Sequence, residues 1–129
     1  MKRLLVLGST GSIGVNTLNV VRNFPEEFKI EALTVNSNIS TLCEQIDEFK
    51  PAFVVVSDNN YANKLKQKIG NKCEILSGSA GLVEAAQRNS YDVLVNALVG
   101  FAGLAPTIEG IKLGKRIALA NKETLVAAG

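Results

Sequence analysis

Short runs of valine, isoleucine and leucine alternate along the chain with longer stretches in which apolar residues recur every three or four positions. The runs predict strands near 3–7, 29–35, 53–56, 74–76, 93–97 and 116–120, and the stretches predict helices near 13–23, 40–49, 60–69, 80–89 and 106–113. Phe53-Val54-Val55-Val56 and Val93-Leu94-Val95 lack polar alternation, as expected of parallel strands covered on both faces. Pro106 suits the first turn of the last helix, and Gly114 closes it. Such an alternation predicts a doubly wound, mostly parallel, Rossmann-like α/β sheet with helices on both faces. There is no internal repeat, low-complexity segment or linker.

Composition narrows the picture. At 129 residues and 47% hydrophobic content the chain suits one domain. Fourteen basic against twelve acidic residues give a net charge of +2, and no basic cluster exceeds Lys2-Arg3 or Lys115-Arg116, so nucleic acid is not an expected partner. Cys43 and Cys73 lack metal-ligand spacing and read as reduced residues of the core or its boundary. A first strand that begins almost at Met1 and the lack of any apolar run of membrane length predict a cytoplasmic protein.

The densest chemistry follows the first strand, in Gly8-Ser9-Thr10-Gly11-Ser12-Ile13-Gly14. A strand that breaks into a glycine-rich turn and then a helix aims free N–H groups and the positive end of the helix dipole at one spot, where an anion binds. Glycine permits the turn and lets a pyrophosphate approach the main chain, while Ser9, Thr10 and Ser12 are expected to add hydroxyl donors. The glycines stand at positions 1, 4 and 7, not the 1, 3 and 6 of the common dinucleotide fingerprint, so an ordinary tight loop is the alternative. Ile13-Gly14-Val15 replaces the Gly-Lys-Ser/Thr of a P-loop, which argues against a kinase or ATPase.

In this architecture ligands bind at the carboxyl ends of the strands. Asn36-Ser37-Asn38 follows the second strand, about where the adenosine ribose would lie. The triplet has no carboxylate to accept from the ribose hydroxyls, which leans toward NADP; it also suits a turn and the cap of a helix near Ser40. Asn96 to Gly103 form a small-residue turn where a nicotinamide or ribose could rest, although close helix packing would equally explain Gly100 and Gly103. Beyond the last strand, Asn121 and Glu123 fit a helix start, and Lys122 is left as a cation suited to an anionic substrate.

Gly8 to Gly14, Val99-Gly100-Phe101-Ala102-Gly103-Leu104 with Pro106-Thr107, and Leu119-Ala120-Asn121-Lys122-Glu123-Thr124-Leu125-Val126 together resemble the 1-deoxy-D-xylulose 5-phosphate reductoisomerase family. The similarity covers the whole chain and corresponds to the amino-terminal NADPH-binding domain of that enzyme. It implies conversion of 1-deoxy-D-xylulose 5-phosphate to 2-C-methyl-D-erythritol 4-phosphate, by rearrangement and then hydride delivery from NADPH, for isoprenoid synthesis. It further implies a divalent metal, magnesium or manganese, and a homodimeric parent enzyme. Carried over by position, Thr10, Gly11, Ser12 and Ile13 would hold the pyrophosphate. Asn38 would lie near the adenosine phosphate, with Asn36 and Ser37 beside it as further candidates for cofactor binding, Asn121 and Glu123 would contact NADPH, and Lys122 would touch the substrate.

Two departures qualify the resemblance. Many members carry glycine and a basic residue where Asn36 and Ser37 stand, which weakens the case for NADPH over NADH. The chain also stops at Gly129, before the family's acidic metal ligands and phosphate-gripping residues, and it contains no histidine. The expectation is therefore a cofactor domain that binds nucleotide without turnover, with no catalytic or metal-binding residue of its own. Two alternatives stay open. A short-chain dehydrogenase fragment would need Tyr-x-x-x-Lys, whereas Tyr61 and Lys64 are only three apart. A stand-alone nucleotide-binding module is the other.

Overall fold

A computed structural model describes residues 1–98 and 100–119. Its elements alternate as expected: β1 (Lys2–Leu7), α1 (Ser12–Asn23), β2 (Phe28–Val35), α2 (Ile39–Phe49), β3 (Phe53–Val56), α3 (Asn59–Ile69), β4 (Glu74–Ser77), α4 (Gly78–Gln87), β5 (Val93–Asn96), α5 (Leu104–Lys112) and β6 (Arg116–Leu119). The six strands form one all-parallel sheet in the order β4-β3-β2-β1-β5-β6.

Combined with right-handed crossovers, that order decides which face of the sheet each helix covers. Three right-handed crossovers carry the chain from β1 out to β4 with α1, α2 and α3 on one face; the chain then returns to the far side of β1, which puts α4 and α5 on the other face. Strand side chains alternate between the layers. Leu4, Val6, Val54 and Val56 pack with Leu18, Leu42, Ile46 and Leu65 under the first three helices, while Leu5, Leu7, Phe53 and Val55 pack with Leu82, Ala85, Ala86 and Tyr91 under the other two. A register shift gives β2 one extra residue, Glu31, between the partners of Leu4 and Leu5. The bulge lets Ile30 and Leu33 both face the first layer while Ala32 faces the second.

The last helix begins earlier than its proline suggests. Gly103 is the N-cap and Pro106 the third helical residue, still among the first-turn positions whose N–H has no intrahelical acceptor. Its end matches expectation: Gly114 has φ +72°, its N–H donates to Ile111 O at 2.9 Å, and the Lys115 N–H donates to Gly110 O at 3.0 Å, a Schellman closure.

The sheet order reverses direction between β1 and β5. Crevices at the carboxyl ends of such a pair are where doubly wound sheets hold ligands, and Gly8–Gly14 and residues 97–103 both begin there.

Candidate dinucleotide site

The glycine loop is fixed at its root by the neighbouring strand. Gly8 N–H donates to Thr34 O and Thr34 Oγ1, both at 3.1 Å, and Ser9 N–H donates to Thr34 O at 2.9 Å. Gly8 has φ +79°, and a Cβ there would come within 2.8 Å of the Leu98 side chain, so glycine is required for both conformation and close approach to the loop after β5. Gly14 is required for a different reason. A Cβ on it would stand 2.7 Å from Ser9 Cα, which lets α1 start directly beneath the turn.

Gly11 differs from both. It has ordinary extended angles, φ −77° and ψ 170°, and a Cβ would meet no atom within 4 Å. Among the described residues nothing fills the space in front of it. The first intrahelical bond runs from Val15 N–H to Gly11 O, and Gly11 offers no side chain to cap the helix, so the N–H groups of Ser12, Ile13 and Gly14 lack helical acceptors. No charged side chain occurs in residues 8–14; the positive potential comes from the backbone. Among the described residues, the loop thus has the unpaired donors and the clear approach that a pyrophosphate needs.

Thr10 is half-buried and Ser12 is exposed at the mouth of this cradle, while Ile13 turns its side chain into the core and offers only its N–H. Ser9 corrects the sequence-based expectation. It is fully buried, and its hydroxyl donates to Gln45 Oε1 at 2.7 Å, so it is no donor to a ligand.

Asn36, Ser37 and Asn38 lie at the same edge, one strand away. Asn38 is the N-cap of α2, which begins at Ile39, and its Oδ1 accepts from Thr41 N–H at 3.2 Å. The amide NH₂ of Asn38 remains as a donor. Asp58 comes close from the next loop, its N–H donating to Asn36 O at 3.0 Å, but its carboxylate caps α3 by accepting from Asn60 and Tyr61 N–H. Gly100 and Gly103 separate in role. Gly103 is a packing glycine, since a Cβ would lie 2.7 Å from the Asn96 amide carbon, whereas Gly100 has φ +70° and a Cβ there would meet none of the described atoms within 4 Å. Asn96 in turn holds the loop after β5, accepting from Leu98 N–H at 3.0 Å.

Asn121, Lys122 and Glu123 lie outside the described residues. Tyr61 and Lys64 form a surface contact, the Lys64 ammonium 4.6 Å from the ring centroid. Among the described residues no three His, Cys, Asp or Glu side chains form a metal-binding group. The shifted titrations there belong to ion pairs such as Glu48 with Arg22 and Glu74 with Arg88, to the Cys73 thiol, raised by burial, and to the buried Tyr91 hydroxyl. Chemically, such an arrangement can bind and orient an anion. The residue that sequence reasoning missed is Gln45, 7% exposed on the apolar stripe of Ile39, Leu42 and Ile46. A polar residue on that stripe was its signal.

A family model described as 1-deoxy-D-xylulose 5-phosphate reductoisomerase matches residues 4–129. A curated protein of that name from Caldanaerobacter subterraneus subsp. tengcongensis is 53% identical over 129 residues, covering 100% of this chain and 34% of its own length. Among solved structures, the 1-deoxy-D-xylulose 5-phosphate reductoisomerase from Zymomonas mobilis in complex with NADPH superposes with a TM-score of 0.85 at 37% identity, over 98% of this chain and 34% of that one. A DOX-P reductoisomerase in complex with NADPH, fosmidomycin and magnesium gives 0.87 at 43% identity, over 98% of this chain and 31% of that one. The chain spans about a third of the length of the curated relatives it matches.

Proposed function

The chain belongs to the 1-deoxy-D-xylulose 5-phosphate reductoisomerase family, and from that membership we propose that residues 1–129 form an NADPH-binding domain. The catalytic, metal-binding and carboxy-terminal parts would come from the length of the relatives that this chain does not span. The observation that carries the proposal is the open, uncapped cradle at Gly11, set at the reversal point of the sheet in a chain whose solved relatives include NADPH complexes.

In this reading the N–H groups of Thr10, Gly11, Ser12 and Ile13 and the hydroxyls of Thr10 and Ser12 hold the pyrophosphate. Asn36, Ser37 and the free NH₂ of Asn38 meet the adenosine ribose and its phosphate, where no carboxylate of the triplet opposes the added charge. Asn121 and Glu123 contact the nucleotide, and Lys122 draws the phosphorylated sugar to it. Bound there, NADPH supplies the hydride. Within the full-length enzyme the substrate is 1-deoxy-D-xylulose 5-phosphate and the product 2-C-methyl-D-erythritol 4-phosphate, an isoprenoid precursor, with magnesium or manganese held by residues outside this chain. The full-length enzyme is a cytoplasmic homodimer. The 129 residues alone bind nucleotide without turnover.

Titration of the purified chain with NADPH and, in parallel, NADH tests this by nicotinamide fluorescence. Saturable binding that favours NADPH is expected. Equal affinity would remove the NADP preference, and binding of neither would overturn the proposal for these residues.

A further inference from the structure

Ser9 and Gln45 are 36 positions apart in sequence and make two hydrogen bonds to each other. The Ser9 hydroxyl donates to Gln45 Oε1 at 2.7 Å, and Gln45 Nε2 donates to the Ser9 carbonyl oxygen at 2.9 Å. Both residues are buried, at 0% and 7% exposure. A primary amide set into an apolar stripe is costly unless its donor and acceptor are both engaged. Here one residue of the glycine loop engages both.

The second bond bears on the ligand. The Ser9 C=O and the Thr10 N–H belong to one planar trans peptide unit, so they point in opposite directions and turn together. Gln45 holds the carbonyl toward α2. The Thr10 N–H is thereby aimed away from α2, and at the next residue, Gly11, a Cβ would meet none of the described atoms within 4 Å. Thr34 fixes the root of the loop through the Gly8 and Ser9 N–H groups, one peptide earlier, and so leaves the Ser9–Thr10 plane undetermined.

We infer that Gln45 is a positioning residue that aims the Thr10 N–H at the nucleotide pyrophosphate. The inference rests on the proposal that the cradle binds NADPH. Gln45 also stands on the helix whose N-cap is Asn38, so one rigid element ties the adenosine end of the site to the orientation of its phosphate end.

Three variants of the full chain separate this role from packing. Gln45→Met keeps the volume on an apolar stripe and removes both hydrogen bonds. Gln45→Glu keeps the acceptor for Ser9 Oγ but turns an acceptor toward the Ser9 carbonyl. Ser9→Ala keeps the Nε2 to carbonyl bond and deletes the hydroxyl. Each is titrated with NADPH at a temperature where circular dichroism shows it folded. Loss of one aimed, charge-assisted bond is expected to weaken binding about tenfold in both Gln45 variants, whereas Ser9→Ala stays within about threefold of the unaltered chain. Unaltered affinity in a folded Gln45 variant would overturn the inference alone. So would an equal loss in Ser9→Ala, because packing would then be the cause. Failure of the unaltered chain to bind would overturn the underlying reading and the inference with it.

Discussion

Gly14 lies so close beneath Gly8 that a side chain on Gly14 would run into the Gly8 carbonyl oxygen and stand 2.7 Å from Ser9 Cα. The helix can therefore begin at Ser12 directly under the turn, which brings its unpaired N–H groups to the mouth of the loop. Gly14→Ala forces α1 away from β1. A loss of about 2–3 kcal/mol, read by urea unfolding, is expected from a clash against backbone that no rotamer relieves.

Gly11→Ala separates binding from folding. The native angles suit any residue and the added methyl meets nothing within 4 Å, so stability should change by less than about 0.5 kcal/mol. The same methyl projects into the space a pyrophosphate needs, and NADPH affinity should fall about tenfold or more, which isothermal titration reads directly.

Gly103→Ala acts on the opposite wall. Its methyl would strike the Asn96 amide, which accepts from Leu98 N–H at 3.0 Å and donates to Thr107 Oγ1 at 3.4 Å. Displacing that amide loosens the loop that meets Gly8. A stability loss of about 1–3 kcal/mol is expected, measured as a lowered urea midpoint at unchanged m.

The pH dependence has two limbs. Hydrogen bonds from Arg22 to Glu48, from Arg88 to Glu74, from the Arg3 backbone N–H and guanidinium to Asp92, and from Gln87 and Lys112 to Glu109 hold these four carboxyls below the usual carboxylate range. Their contribution is present above the ordinary carboxylate pKa and is lost as pH falls through the depressed values. Stability should therefore decline in acid, less steeply at high salt, because all four pairs are at least partly open to solvent.

Tyr91 governs the alkaline limb. Its ring is fully buried, its hydroxyl donates to Ala86 O at 2.7 Å, and burial pushes its pKa up from 10.0 to about 12. Between those values the unfolded chain ionises and the folded one does not, so stability is complete below pH 10 and falls as pH rises toward 12. Tyr91→Phe should cost about 1 kcal/mol at neutral pH and flatten that fall, as followed by unfolding at stepped pH.

The fold was legible because local signals agreed with one another. Uninterrupted apolar runs such as Phe53 to Val56 gave buried parallel strands, and Asn38 and Gly114 marked helix ends that the structure places within a residue or two. Strand order was less legible, since nothing local specifies that β5 returns beside β1. Within the site, the glycines were visible but their separate duties were not: the same residue type serves φ and contact at Gly8, helix approach at Gly14 and open space at Gly11. Ser9 looked like a ligand donor because hydroxyls in such loops commonly are. Its inward turn depends on Gln45, whose position is set by tertiary packing of α2.

The central claim is that this loop, at the reversal point of the sheet, receives the pyrophosphate of NADPH. Two-dimensional ¹⁵N NMR of the labelled chain during NADPH addition tests it residue by residue. The account predicts saturable amide shifts at Thr10, Gly11, Ser12, Ile13 and Gly14 together with Asn36, Ser37 and Asn38, and quiet amides in β4 and α3. Saturable shifts confined to other parts of the chain, with the Thr10 to Gly14 amides unmoved, would contradict it.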